Sequence, residues 1–166
     1  MPRIESSITI PVPIDDAFSL SMSQQDVRYE WDPFVVEQRL LNNAERPARG
    51  VQSLTKSRHR LSMVSEYTAY NRPKQVGMKL VKGPPFFSAF GGGWSFKALD
   101  ENTTVATWRY TFTIRPTWLA PIANPIGSWL LGRDIDKRLA HFAKGGTNPD
   151  LVARARQQLD GEPPGN

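Results

Sequence analysis

The chain has 166 residues, a net charge of +5, 39% hydrophobic and 22% charged residues, and no cysteine. This length suits one domain, and the composition suits a globular chain with a core of its own. The missing thiols exclude disulfides, thiolate catalysis and cysteine–zinc sites. The positive balance does not point to nucleic acid, because the basic residues are scattered. Arg46, Arg49, Lys56, Arg58, Arg60, Arg72, Lys74, Arg133, Lys137 and Arg138 are read as solvated surface, and KSRHR at Lys56–Arg60 is the nearest thing to a run. The opening MPRIESSITIPV has no apolar stretch of signal-peptide length, so the cytoplasm is the expected compartment.

Arg3–Ile10 alternates, with Ile4, Ser6, Ile8 and Ile10 on one side, and reads as a half-buried strand ended by Pro11 and Pro13. Asp15 or Asp16 is placed to cap a short helix through Met22. Gln24–Tyr29 is a further helical turn before Trp31-Asp32-Pro33. Strands are predicted over Phe34–Leu41, Val51–His59, Ser62–Tyr70, Gln75–Val81, Phe86–Leu99 and Thr103–Ile114, separated by Asn, Pro and Gly turns. In the last of them Ala106, Trp108, Tyr110, Phe112 and Ile114 share one face.

After Pro116 the period changes. Asn124-Pro125 is a helix-start signal, and Ile126, Leu130, Leu131, Ile135, Leu139 and Phe142 recur at helical spacing until Gly145-Gly146. Pro116–Gly132 carries no charge, yet it falls short of the ~20 apolar residues a membrane span needs, so a buried or gating segment is expected there. A short amphipathic stretch, Pro149–Leu159, and the loose tail GEPPGN follow. The pattern gives one domain over 1–145 and a helical extension with a tail over 146–166. A strand series closed by one long helix implies an α+β fold, an antiparallel sheet of about seven strands that needs that helix to cover its apolar face.

These residues resemble a known family. Tyr29-Glu30-Trp31-Asp32-Pro33-Phe34-Val35 is similar to the segment entering the second strand of polyketide cyclase/dehydrase-type proteins of the SRPBCC (START-like) superfamily. Pro11-Val12-Pro13-Ile14-Asp15-Asp16-Ala17-Phe18 resembles that group's first strand and helix, and Glu66-Tyr67 with Asn71-Arg72-Pro73 its mid-chain turn. The resemblance runs over roughly Arg3 to Lys144. It implies a helix-grip fold, a bent sheet wrapped on the C-terminal helix around an internal cavity. It also implies a choice between carriage of a hydrophobic molecule such as a lipid or polyketide and cyclase, aromatase or dehydratase chemistry.

Within such a fold Val81–Leu99, VKGPPFFSAFGGGWSFKAL, reads as cavity wall, with Gly91-Gly92-Gly93 allowing the sheet to bend. The side chains expected to line the hollow are Trp31, Phe34, Met78, Phe87, Phe90, Trp94, Phe96, Trp108, Tyr110, Phe112, Leu130 and Leu131. Three residues are candidates for chemistry. Glu66 would act as acid or base with a raised pKa if its face of the strand is the inner one, but the alternation leaves open whether Met63, Ser65 and Tyr67 face inward instead. Tyr110 lines either the pocket or plain core. Arg58 would anchor a carbonyl or anion if it, rather than His59, points inward. With two distant histidines and no nucleophile or phosphate-loop motif, neither metal nor cofactor is expected. The expected partner is a small hydrophobic molecule. Trp118, Leu119, Ile122 and Trp129 are left as a cap over the mouth, a homodimer contact or a membrane-touching patch.

Overall fold

A computed structural model of the chain describes residues 2–161. Of the predicted GEPPGN tail only Gly161 lies within them. The first strand, β1 (Arg3–Ile10), leads into two short helices, α1 (Ile14–Ser21) and α2 (Gln25–Trp31). Six strands follow: β2 (Val35–Leu40), β3 (Gln52–Ser57), β4 (Ser62–Asn71), β5 (Gln75–Lys82), β6 (Phe87–Asp100) and β7 (Thr103–Ile114). A 3-10 turn at Thr117–Leu119 opens the long helix α3 (Ala120–Gly146), and α4 (Pro149–Asp160) closes the chain.

The seven strands form one antiparallel sheet in the order β1-β7-β6-β5-β4-β3-β2. Each consecutive pair from β2 to β7 is a hairpin step, and α1 and α2 carry the chain from the β1 edge to the β2 edge. Register follows the alternation. Ile4 faces Tyr110, Ser6 faces Trp108 and Ile8 faces Ala106 across β1 and β7, and Trp94 faces Trp108 across β6 and β7. A one-residue slip would turn these side chains into solvent, which is why the pattern fixes the pairing. Bulges interrupt β2/β3, β4/β5 and β6/β7 and add to the curl. The result is the helix-grip fold, a curled sheet closed on one side by α3.

Several strand and helix limits shift by one or two residues from the sequence reading, and three helix ends differ for a physical reason. Asp15 and Asp16 lie inside the first turn of α1, whose N-cap is Pro13; Asp16 instead accepts from Arg156 Nε of α4 at 2.9 Å. The long helix begins at Ala120, because Pro121 already suits a first turn and Pro125 is accommodated within the helix. Gly145 and Gly146 are the last two residues of the helix rather than a break after Ala143. Both are buried, and a Cβ on Gly146 would lie 2.5 Å from Ile10 Cγ1, so the missing side chain is what lets α3 lie down on β1.

The sheet-facing seam of α3 runs Ile135, Arg138, Leu139, Phe142, Gly145 and Gly146. Earlier along the helix the same side carries Gly127, set against the Phe112 ring and Ile114, and half-buried Leu131. Ile126 and Leu130, one residue back from each, are turned about 100° away and are 54% and 50% exposed. Trp118, Ile122 and Trp129 are exposed as well, so the Pro116–Gly132 span is not buried. Leu151, Val152, Ala155 and Leu159 of α4 join the same hydrophobic core as α1 and α2. That core therefore continues past residue 145. No described helix is long and apolar enough to cross a membrane.

Candidate functional site

Helix α3 packs on β1 and β7 and α2 packs on β2, while the inner face of β4 and β5 borders open space. A hollow of about 90 Å³ remains there. Its walls are Met63, Ser65 and Tyr67 of β4, Val76, Met78 and Leu80 of β5, Phe90 and Trp94 of β6, Trp108 and Tyr110 of β7, and Phe34 and Gln38 at β2. β4 and β7 contribute every second residue, as the pleat dictates, while the side-chain-free Gly91–Gly93 stretch of β6 borders the hollow along its whole length. Arg28 of α2 and Arg138 of α3 close it from the helical side.

Phe34, Met78, Phe90, Trp94, Trp108 and Tyr110 thus meet on the cavity as the sequence analysis expects. The other expected lining residues lie elsewhere. Trp31 is core: its indole donates to Ser23 Oγ at 3.0 Å and its ring packs on Phe142. Phe96 packs between Trp94 and Phe18, and Phe112 is covered by Phe87 and the Gly127 turn of α3. Phe87 stacks among Phe86, Phe90 and Phe112 at the end of the sheet. Leu131 does not border the hollow, and Leu130 faces solvent.

Two of the three candidates for chemistry are on the wrong side. Met63, Ser65 and Tyr67 are the inward row of β4, so Glu66 is on the outer face, bound to Lys79 Nζ at 3.1 Å. Lys79 holds its carboxyl below the usual range, the reverse of the rise a buried acid would show. Arg58 and His59 both sit in the exposed turn after β3, so neither points inward. Tyr110 alone is in place.

The triple glycine works from both sides of the sheet. A Cβ on Gly92 would lie 2.7 Å from the Tyr110 ring, and one on Gly93 would run into the Val76 carbonyl. On the outer face these bare backbones floor a shallow groove of about 360 Å³ bordered by Gln75, Lys79, Ser95, Arg109 and Thr111.

A charged cluster that the sequence reading did not find stands behind the cavity. Asp32 is buried at the C-terminal end of α2. Its carboxylate accepts from Arg28 Nε at 2.9 Å, from Arg138 Nε at 3.0 Å and Nη2 at 2.6 Å, and from the Phe34 amide at 3.1 Å. Burial alone would raise this carboxyl, but the Arg138 and Arg28 guanidiniums outweigh it and hold Asp32 below the ordinary aspartate range. Arg28 Nη1 also donates to the Ser21 carbonyl at 2.6 Å, and Arg138 Nη1 to Tyr110 Oη at 2.6 Å. Aromatic faces flank both cations: Arg138 lies 3.9 Å from the Trp108 ring centre and 4.8 Å from that of Phe34, and Arg28 lies 4.3 Å from Trp31. Burial pushes the Tyr110 and Tyr67 hydroxyls up, Tyr67 to about 12, so both stay neutral.

Arg138 is thus not solvated surface. Two signals in the sequence could have shown it: Arg28 and Asp32 stand four apart on one helix face, and Arg138 falls within the apolar seam of α3.

A family model described as polyketide cyclase / dehydrase and lipid transport matches residues 1–145. No curated protein matches the chain. Among solved structures, the protein XoxI from Bacillus cereus superposes with a TM-score of 0.73 at 12% identity, covering 90% of this chain and 99% of that one. A START superfamily protein from Mycobacterium smegmatis superposes at 0.68 with 15% identity, over 93% and 97% of the two chains. The di-domain ARO/CYC BexL of the BE-7585A biosynthetic pathway superposes at 0.67 with 14% identity, over 90% of this chain and 48% of that one.

Proposed function

Because the chain belongs to the polyketide cyclase/dehydrase and lipid transport family, we propose that it binds a small hydrophobic molecule in the hollow between the sheet and α3. The observation that carries this reading is the hollow itself: Phe34, Met78, Phe90, Trp94 and Trp108 converge on about 90 Å³ of open space. Such a volume has room for several waters at roughly 10–15 Å³ each. It is well under the ~300–1,000 Å³ that encloses a drug-sized molecule. The occupant is therefore about one ring in size, unless the half-buried Met63, Leu80 and Phe90 swing outward to admit more. Native mass spectrometry of the purified protein and toluene titration followed by the fluorescence of Trp94 and Trp108 test this reading. Ser65→Phe, which puts a ring into the hollow from β4, is expected to abolish the response. Unchanged binding in that variant would refute the site.

A cyclase- or dehydratase-type enzyme is the second reading, and Tyr110 favours it. Its oxygen accepts from Arg138, which leaves its own hydrogen free to donate to a carbonyl in the hollow. A neutral phenol held this way stabilises a developing enolate without giving up its proton outright. With a substrate in hand, Tyr110→Phe should lower kcat about 10²-fold, by analogy with loss of one oxyanion donor, while leaving binding within a few-fold.

A further inference from the structure

The Arg28–Asp32–Arg138 cluster sets two guanidiniums against one carboxylate, leaving one positive charge on the cavity wall. A buried excess charge is costly unless something neutralises it. Each guanidinium carries five N–H donors. Arg138 spends three on Asp32 and Tyr110, and Arg28 spends three on Asp32 and the Ser21 carbonyl. Two remain on each. Asp32 itself would repel an anion, but both its oxygens are already covered by donors from Arg28, Arg138 and Phe34.

A second observation is independent of the charge count. Two other cavity-lining side chains, Trp108 and Gln38, are each only 7% exposed. Trp108 Nε1 and Gln38 Oε1 have no hydrogen-bond partner among the described residues. An unpartnered buried donor and an unpartnered buried acceptor both ask for a partner from the occupant. Most of the remaining lining is aromatic and apolar, Ser65 and Thr55 being polar exceptions, with room for about one ring.

We propose that the cavity takes an aromatic carboxylate bearing a hydroxyl. Its carboxylate is met by the spare N–H groups of Arg28 and Arg138 and by Trp108 Nε1, and its hydroxyl donates to Gln38 Oε1. A guanidinium fork suits a carboxylate because the two present matching pairs of donors and acceptors. This inference rests on the hollow being the ligand site.

The test uses three probes of similar size and the full-length protein. 4-Hydroxybenzoate, its neutral isostere 4-hydroxybenzamide, and toluene are titrated by calorimetry and by tryptophan fluorescence. The carboxylate is expected to bind at least about tenfold more tightly than the amide, the margin of one charge-assisted hydrogen bond over a neutral one. Trp108→Phe, which keeps a ring and removes only the N–H donor, should weaken the carboxylate several-fold and leave toluene unchanged. Arg138→Gln should erase the preference for carboxylate over amide; its melting curve checks that it folds, and Trp108→Phe stands in if it does not. Equal binding of acid and amide, with toluene also bound, overturns the anion site and leaves the cavity reading intact. Binding of the acid that ignores both substitutions places it on the basic exterior and also overturns the proposal. If none of the three probes binds, the cavity reading falls with it.

Discussion

Asp32 and Glu66 each hold cations, in regions that differ in one respect, access to water. Asp32 is enclosed between α2, α3 and the sheet, with its side chain fully buried, and two guanidiniums are gathered to it. Glu66 stands on the outer face of β4 with 27% of its side chain exposed, and one lysine answers it at 3.1 Å. Both carboxyls are drawn below their ordinary range, but the energies behind the two shifts are unlike. At Glu66 water screens the pair, and losing a partner merely returns the survivor to solvent. At Asp32 losing the carboxylate would leave two buried guanidiniums without their counter-charge. A shared pKa direction therefore says little about structural weight; enclosure decides it.

The comparison breaks most decisively at Asp32→Ala. We expect a loss of about 3–5 kcal/mol, the usual consequence of removing one partner from a buried charged set, measured by urea denaturation at pH 7. A loss below about 1 kcal/mol would mean that water reaches the cluster, as it reaches exposed pairs. Next comes Gly146→Ala, whose new Cβ would meet Ile10. Overpacking of this kind costs roughly 1–3 kcal/mol, read as a fall in the thermal midpoint.

Acid sharpens the comparison further. Asp32 is depressed in the folded state, so its contribution is fully present above the unfolded aspartate value of about 3.9 and is lost as pH falls through the folded value. An acid titration by circular dichroism should show stability falling with pH below about 4 in the parent, and much less steeply in Asp32→Asn. Equal slopes would separate the cluster from acid unfolding. The smallest effect is expected at Glu66→Gln, which should leave the urea midpoint and ligand binding unchanged within error. A clear loss of binding there would restore the outer face of β4 to the site.

Helix α3 repeats the lesson with apolar residues. Ile126 and Leu130 are as hydrophobic as Ile135 and Leu139, and helical spacing places all four in one series. The first pair is half exposed while the second is buried. What separates them is rotation about the axis: the seam through Gly127, Ile135, Phe142 and Gly146 meets the sheet, and residues one step round do not. Spacing marks an amphipathic helix, but a break in the stripe such as Gly127 is needed to find which side touches its neighbour.

Local alternation was enough to place β1 and β7 at their observed limits and to identify the shared face of Ala106, Trp108, Tyr110 and Phe112, because a strand's period-two geometry is written residue by residue. Alternation did not by itself choose the lining: within the cavity that the family resemblance implied, Phe34, Met78, Phe90, Trp94, Trp108 and Tyr110 border the hollow, whereas Trp31, Phe87, Phe96, Phe112, Leu130 and Leu131 do not. The chain order of strands before one long helix fixed the class of fold for the same reason: each element must bury one face against another. Only the tertiary structure decided which face of β4 looks inward, since both of its rows mix apolar and polar residues. Only the tertiary structure revealed the charged cluster as well, since Asp32 and Arg138 are 106 positions apart and meet only when α3 folds back over α2. Burial of charge depends on partners brought from a distance, and a linear pattern does not carry that information.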